Sequence, residues 1–156
     1  SGTVAINEVG VRTEGDEEVT NGDFDTGDLT GWTDSGLNIT TFHSGRLRIQ
    51  NNGGINRVIY QTILTIGRIY RVRLQGWGNG SNCSPNIYSG GTLYAGSTSA
   101  TIQDIDFIFT ATDTRFNLMA AGGDGLYAEF DNVSVKEYAT TDGTYVNAPA
   151  ITTNIP

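Results

Sequence analysis

Glycine recurs 21 times in these 156 residues, and with Asn and Asp it cuts the chain into pieces too short for a helix of three turns. No window carries apolar residues at i, i+3, i+4 and i+7 over that length. Between the breaks the pattern has period two. In "GRLRIQ", Leu47 and Ile49 alternate with Arg46, Arg48 and Gln50. In "RIYRVRLQGW", Tyr70, Val72 and Leu74 share one face while Arg71, Arg73, Gln75 and Trp77 share the other. "RVIYQTIL" precedes that segment and joins it through "TIG", where Gly67 supplies the positive φ of a tight connection. "IYSG" and "TLYAG" read as a short hairpin. "TIQDIDFIFTA" sets Ile105, Phe107 and Phe109 against Asp104, Asp106 and Ile108, "RFNLMA" turns Phe116 and Leu118 inward, and "LYAEFDNVSVKEY" closes the series. About ten short strands joined by such turns predict an all-β fold, an antiparallel sandwich.

The length suits one domain with a real core. Its ends fit the strand pattern less well. "VAINEVGVR" reads as an edge strand and "TEGDEE" as a solvated run of acids, so residues 1–18 are expected to form an N-terminal linker or edge strand. Residues 19–138 then make the sandwich and 139–156 a C-terminal linker to a further segment. The chain begins without Met and closes on the open "NAPAITTNIP", as expected of a piece of a longer polypeptide.

Composition removes several function classes. The net charge is -8 and no basic stripe interrupts it, which argues against nucleic acid and against an anionic membrane surface. No run approaches eighteen apolar residues, so no membrane insertion is expected. Cys83 is the one cysteine, which rules out an internal disulfide. There is no Gly-x-Ser-x-Gly elbow, no Cys–His pairing and no cluster of histidines, His43 being single. Asp104 and Asp106 stand two apart on one strand, about 7 Å between α-carbons, with nothing to raise either pKa for acid catalysis. The reading is a non-catalytic protein. The sequons at Asn38, Asn82 and Asn132 are what chance gives an Asn- and Thr-rich chain.

"NGDFDTGDLTGWT" carries Asp23, Asp25 and Asp28, with Asp34 at the twelfth position from Asp23. An EF-hand is excluded, because its sixth position requires Gly where this chain has Asp28, and because the flanks are strands. Four stretches in order resemble the carbohydrate-binding modules of families four, nine and twenty-two: "NGDFDTGDLTGW", "SGRLRIQ", "YQTILTIGRIYRVRLQG" and "AEFDNVSVKEY". The resemblance spans about Val19 to Tyr138 and implies a jelly-roll β-sandwich that holds glycans. In its compressed, aromatic-poor form it is similar to domains of bacteriophage tail-fibre and virion proteins. That implies a virion or extracellular location, attachment to polysaccharide or cell-surface glycan, and other subunits of a larger assembly as partners. Two other settings stay open: an accessory module of a secreted polysaccharide-degrading enzyme, and a structural domain that decorates or cements an assembly through protein contacts.

The same resemblance implies a structural calcium shared by the first and last strands. Its carboxylates map onto Asp25, where relatives usually carry Glu, and Asp131; backbone carbonyls map onto Asp23, His43 and Arg46. The alternative for Asp25 is a turn cap. Trp32 of the "GW" pair is a core residue in such modules. For a ligand, a flat aromatic face and planar polar groups are needed, and the outward face of "RVRLQGW" offers Trp77, Arg73, Gln75 and Arg71. Asp106, with Tyr88 and Tyr94 from the hairpin, is expected to complete that cleft. The competing reading makes Arg71 and Arg73 salt-bridged surface residues and Trp77 the cover of a sheet end.

Overall fold

The computed structural model describes residues 12–36, 38–53 and 58–140. Every regular element among them is a strand: β1 (Arg12–Glu17), β2 (Thr33–Asp34), β3 (Ile39–His43), β4 (Arg46–Gln50), β5 (Val58–Thr62), β6 (Ile69–Trp77), β7 (Ser84–Tyr88), β8 (Thr92–Ala95), β9 (Gln103–Thr110), β10 (Arg115–Ala121) and β11 (Tyr127–Thr140). They form two antiparallel sheets packed as a jelly-roll sandwich. One has the order β3-β4-β11-β6-β9, with β1 also on β11; the other has the order β2-β5-β10-β7-β8.

The alternation read from the sequence sets the faces. Leu47, Ile49, Val72, Phe130 and Val135 from the first sheet meet Ile59, Ile87, Phe116 and Leu118 from the second, all with essentially no solvent exposure. Each such side chain contributes roughly 1.5–3 kcal/mol by leaving water. The residues between them point outward on either side. The β3–β4 hairpin closes through Ser44 and Gly45, both with positive φ (54° and 80°), the backbone a two-residue turn between right-twisted strands requires.

β11 organises the first sheet. Along one edge it pairs with β6; along the other it pairs with β4 through Tyr127–Phe130 and with β1 beyond Lys136. The change of partner falls on an irregularity between Asp131 and Ser134, where Asn132 has a φ of 51°. There the loop after β1 enters: the Val133 N–H donates to the Gly22 carbonyl at 2.8 Å and the Glu18 N–H to the Val135 carbonyl at 3.0 Å. Glu17 accepts from the Val135 N–H at 2.8 Å and from the Ser134 hydroxyl at 2.6 Å, replacing ladder partners that the bulge removes.

This corrects the expectation that "TEGDEE" is merely solvated. The acids from Glu14 to Glu17 are strand residues: Glu14 lies across three basic side chains and Glu17 is drawn into the bulge. The edge strand expected over Val4–Arg12 lies outside the described residues except for Arg12, which opens β1.

The loop itself is braced by its own polar groups. The Asn21 side-chain amide donates to the Asp28 and Thr30 carbonyls, and the Trp32 indole N–H donates to the Asn21 carbonyl. Hydrogen bonds from Thr30, then Thr26, hold the Asp28 carboxyl below its ordinary range. Trp32 and Phe24 are buried with ring centroids 5.7 Å apart, so the Trp is a core residue as expected. Phe24 keeps a φ of 54°; that left-handed conformation costs roughly 1–2 kcal/mol, a penalty that burial of the ring offsets.

A β-carbon added to Gly22 would stand 2.0 Å from the Val133 carbonyl oxygen. Gly22→Ala therefore forces the loop off the bulge, and we expect a loss of about 2–3 kcal/mol. Urea denaturation should show it as a lower midpoint with an unchanged slope.

Candidate functional site

Three regions carry enough polar or aromatic groups to bind something: the cleft beside the β11 bulge and the two outer faces of the sandwich.

At the bulge, a polar pocket of about 380 Å³ is lined by Glu17, Asn21, Asp23 and Asn132. Asp131 stands next to it. Its carboxyl is pushed above the ordinary carboxylate range, first by burial and further by the negative charges of Asp23 and Asp25; the Asn132 N–H and the Arg46 guanidinium act in the other direction. The structure thus brings Asp23, Asp25, Asp131 and Arg46 into one electrostatic neighbourhood, although they are far apart in sequence. His43 faces Arg46 across the β3–β4 hairpin and is exposed. The Asp23 carboxylate accepts the Asp25 N–H at 3.1 Å, a short local turn. Among the described residues no three His, Cys, Asp or Glu side chains converge into a ready-made cage. A cation here would rest on carboxylate and backbone oxygens, a donor set that suits a hard ion.

The outer face of the first sheet is a lattice of ion pairs. Arg71 Nη2 is 2.8 Å from Asp106 Oδ2, and Glu14 bridges Arg71 and Arg73. Pairing with Arg73 lowers the Glu14 pKa and pairing with Arg71 lowers that of Asp106. An acid held ionised in this way is the reverse of a glycosidase proton donor. Gln75 is hydrogen-bonded to Asp104 and Asn132 beside a shallow pocket of about 280 Å³. Farther along, the Glu129 carboxylate, nearly buried, accepts from Arg46 at 2.9 Å and from Arg48 at 2.8 Å. Arg46 in turn lies over the Trp77 ring, 4.1 Å from its centroid, and Arg48 over Tyr127 at 3.8 Å. Arg71, Arg73, Gln75, Trp77 and Asp106 do share one face, as the alternation predicts. Each is also occupied, and a guanidinium lies over one face of the Trp77 ring.

Tyr88 and Tyr94 do not join them, which corrects the expected cleft. Both belong to the second sheet. Tyr94 pairs with buried Ile87 and stacks between the sheets on Phe107, with centroids 5.8 Å apart. Tyr88 is exposed on the opposite side of the sandwich from Trp77. There it belongs to a row that sequence reasoning missed. Tyr60, Asn117 and Tyr88 are register partners across β5, β10 and β7. The Asn117 side-chain amide is fixed by donation to the Tyr88 carbonyl at 2.8 Å. Arg115, two residues before Asn117, lies 4.2 Å from the centroid of Tyr60. The signal was available: in "RVIYQTIL", Tyr60 alternates with Ile59 and Gln61, both buried, so it must face outward.

Charge separates the two faces. Glu14, Asp16, Glu17, Asp104, Asp106, Glu129, Asp131 and Glu137 all lie in strands of the first sheet. The strands of the second sheet contain Asp34 alone. Asp34 is opposite Ile59 and spends its carboxylate on the Gly36 N–H and the Asn38 side-chain amide. Cys83 offers no nucleophile, being buried with its thiol pushed up to about 11.

No protein-family model and no curated protein sequence matches the chain. Solved structures do. The family 22 xylan-binding domain of Xyn10C from Paenibacillus barcinonensis matches with a TM-score of 0.56 at 9% identity, over 79% of this chain and 95% of that one. The arabinose-bound α-L-arabinofuranosidase MgGH51 matches with a TM-score of 0.57 at 14% identity, over 78% of this chain and 26% of that one. Tailspike protein 4 of bacteriophage CBA120 matches with a TM-score of 0.55 at 14% identity, over 78% and 21%. This chain therefore corresponds to about a quarter or less of the latter two, and what the three matches share with it is the fold of jelly-roll carbohydrate-binding modules.

The Glu129 bridge makes a direct prediction. Breaking a buried ion pair typically costs about 3–5 kcal/mol; because Arg46 and Arg48 are about a quarter exposed, we expect roughly 2 kcal/mol for Glu129→Ala. Chemical denaturation of the variant checks the figure, and near-UV circular dichroism should report release of the Trp77 ring.

Proposed function

We propose that this chain is a non-catalytic glycan-binding module and that the outer face of the five-stranded sheet is its platform. The observation that carries this reading is the exposed ring of Tyr88, in register across buried Asn117 with Tyr60, whose ring carries a guanidinium, Arg115, that has no acid partner among the described residues. An exposed ring of this kind packs against the C–H face of a sugar, while a guanidinium with free donors bonds the sugar's oxygens. The first sheet's outer face has the right residue types too, but its arginines already bind carboxylates, the Arg46 over Trp77 among them, whereas among the described residues Arg115 over Tyr60 binds none and the Tyr88 ring carries no guanidinium.

The module anchors a larger polypeptide to polysaccharide. Similar units occupy about a fifth of a bacteriophage tailspike's enzymatically active domain and about a quarter of an α-L-arabinofuranosidase, which supports two settings for this module: a phage fibre or tailspike attaching a virion to its host, and a secreted polysaccharide-degrading enzyme. The domains beside this one decide between them.

Affinity electrophoresis against a broad polysaccharide set tests the platform. Tyr60→Ala and Tyr88→Ala should each weaken retention about tenfold, the equivalent of 1.4 kcal/mol, while Trp77→Ala leaves it unchanged. Loss of retention in Trp77→Ala alone would move the site to the first sheet. No retention by the parent protein on any polysaccharide would overturn the reading.

Calcium at the β11 bulge belongs to the same proposal. Asp131 and Asp25 would supply carboxylate oxygens, and the backbone at Asp23 and at the His43–Arg46 hairpin would complete the shell. The bound ion would neutralise the repulsion that now bears on Asp131. Calcium at a hundred times its dissociation constant should stabilise the fold by about 2.7 kcal/mol, seen as a melting point that falls on adding chelator. Asp131→Asn should abolish that shift while leaving the chelated protein no less stable than the parent in chelator. A melting point indifferent to chelator removes the ion.

A further inference from the structure

The reading of the second sheet as a glycan platform leaves its ligand class open, and the charge distribution narrows it. We infer that this face takes an acidic polysaccharide, one carrying uronate carboxylates, and that Arg115 binds the carboxylate. The inference rests on the platform proposed above.

Arg115 differs from the other arginines of the strands. Arg46, Arg48, Arg71 and Arg73 each bond a carboxylate, and Arg12 donates to the Tyr138 carbonyl. Arg68, in the β5–β6 connection, is bonded to Glu137. Arg115 is exposed, and among the described residues its guanidinium has neither an ion pair nor a hydrogen bond; its contact is with the face of Tyr60. That contact holds the planar fork without using its N–H donors. A guanidinium kept in place over an aromatic ring, with its donors free, is suited to bidentate recognition of a carboxylate.

Its setting favours an anion as well. A protein of charge -8 repels polyanions in general. The strand acids nevertheless lie on the first sheet, many of them paired with its arginines; the strands of the second carry only Asp34, whose carboxylate is already bonded on the Ile59 side, and the loop acid beside Arg115, Asp113, accepts the Thr114 N–H. The two outer faces are separated by the thickness of the sandwich, about 10 Å between the sheets. At physiological ionic strength the screening length is about 8 Å, so a chain approaching the second face meets Arg115 more strongly than the acids behind it. Arg115 lies about 7 Å along β10 from Asn117. A sugar ring seated against exposed Tyr88, beside the Tyr60–Arg115 pair, therefore has its substituents within reach of the guanidinium.

The experiment compares each of three uronate polymers, polygalacturonate, alginate and hyaluronan, with its carboxyl-reduced form, which keeps the linkages and loses the charge. Affinity electrophoresis and calorimetry are run on the parent protein, Arg115→Gln, Arg115→Lys and Trp77→Ala, with melting points to confirm folding. The parent should bind at least one uronate polymer ten times more tightly than its reduced form, with a preference that shrinks as salt is raised. Arg115→Gln should bring the two affinities together, Arg115→Lys should restore part of the difference, and Trp77→Ala should keep all of it. Equal binding of charged and reduced polymers by the parent overturns the acidic-ligand inference and leaves the glycan platform standing. A preference that survives Arg115→Gln overturns the role of Arg115. Binding to no polymer, charged or reduced, overturns the platform and this inference together.

Discussion

The bulge in β11 is the constraint on which the rest of the first sheet depends. A regular fourteen-residue strand would present one unbroken edge to a single partner. By inserting extra backbone between Asp131 and Ser134, with Asn132 in a left-handed conformation, the strand ends its pairing with β4 and opens a gap that β1 and its loop enter. The backbone groups that lose ladder partners are taken over by Gly22 and by the Glu17 carboxylate. That substitution explains why a small residue is needed at position 22 and an acid at 17, neither of which follows from strand propensity. It also brings Asp23 and Asp25 near enough for their charges to add to the burial that raises the Asp131 pKa, a direct consequence of how the sheet changes partners.

The two outer faces show what the same alternation can be used for. On the first sheet the outward positions of β4, β6, β9 and β11 alternate bases with acids, and almost every charged group has a partner. Such a face is stabilised internally and has few free donors to give a ligand. Individual exposed pairs contribute little; the Arg46–Glu129–Arg48 bridge differs because its carboxylate is nearly buried and its two guanidiniums also cover Trp77 and Tyr127. On the second sheet the outward positions are mostly neutral, and among the described residues Arg115 there has no ion pair. Polar groups without internal partners are the ones available to an outside molecule.

Most of the fold was legible because it rests on period-two alternation and on glycines at turns, both local properties. The segments around β4 to β11 fall where the pattern puts them, and Tyr70, Val72, Leu74, Phe116 and Leu118 face inward as read. What failed was non-local. The run "TEGDEE" has no apolar alternation, and it is strand because Arg71, Arg73 and Lys136 on neighbouring strands receive Glu14 while the bulge receives Glu17. Tyr88 does not complete a cleft with Trp77, because alternation says only that a side chain faces away from the core; it does not say on which side of the sandwich. The covering of Trp77 by Arg46 likewise requires knowing that β4 and β6 flank β11. Tyr60 was within reach of the sequence, since its neighbours Ile59 and Gln61 alternate with it.

This division also explains why likeness of fold carries so little about the ligand. At 9–14% identity the matched structures share an arrangement of strands that any sequence with the right inward residues and turns can adopt. The inward set here is Leu, Ile, Val and Phe, interchangeable at modest cost if volume is kept. The outward set answers to no such rule. Replacing the acid opposite an arginine turns a closed face into an open one without disturbing the core, and placing an aromatic ring beneath a guanidinium aims that charge at whatever lies above it. Function in this architecture is therefore decided by which outward groups remain unpaired, and among the described residues the strand arginine without a polar partner, Arg115, lies on the five-stranded sheet.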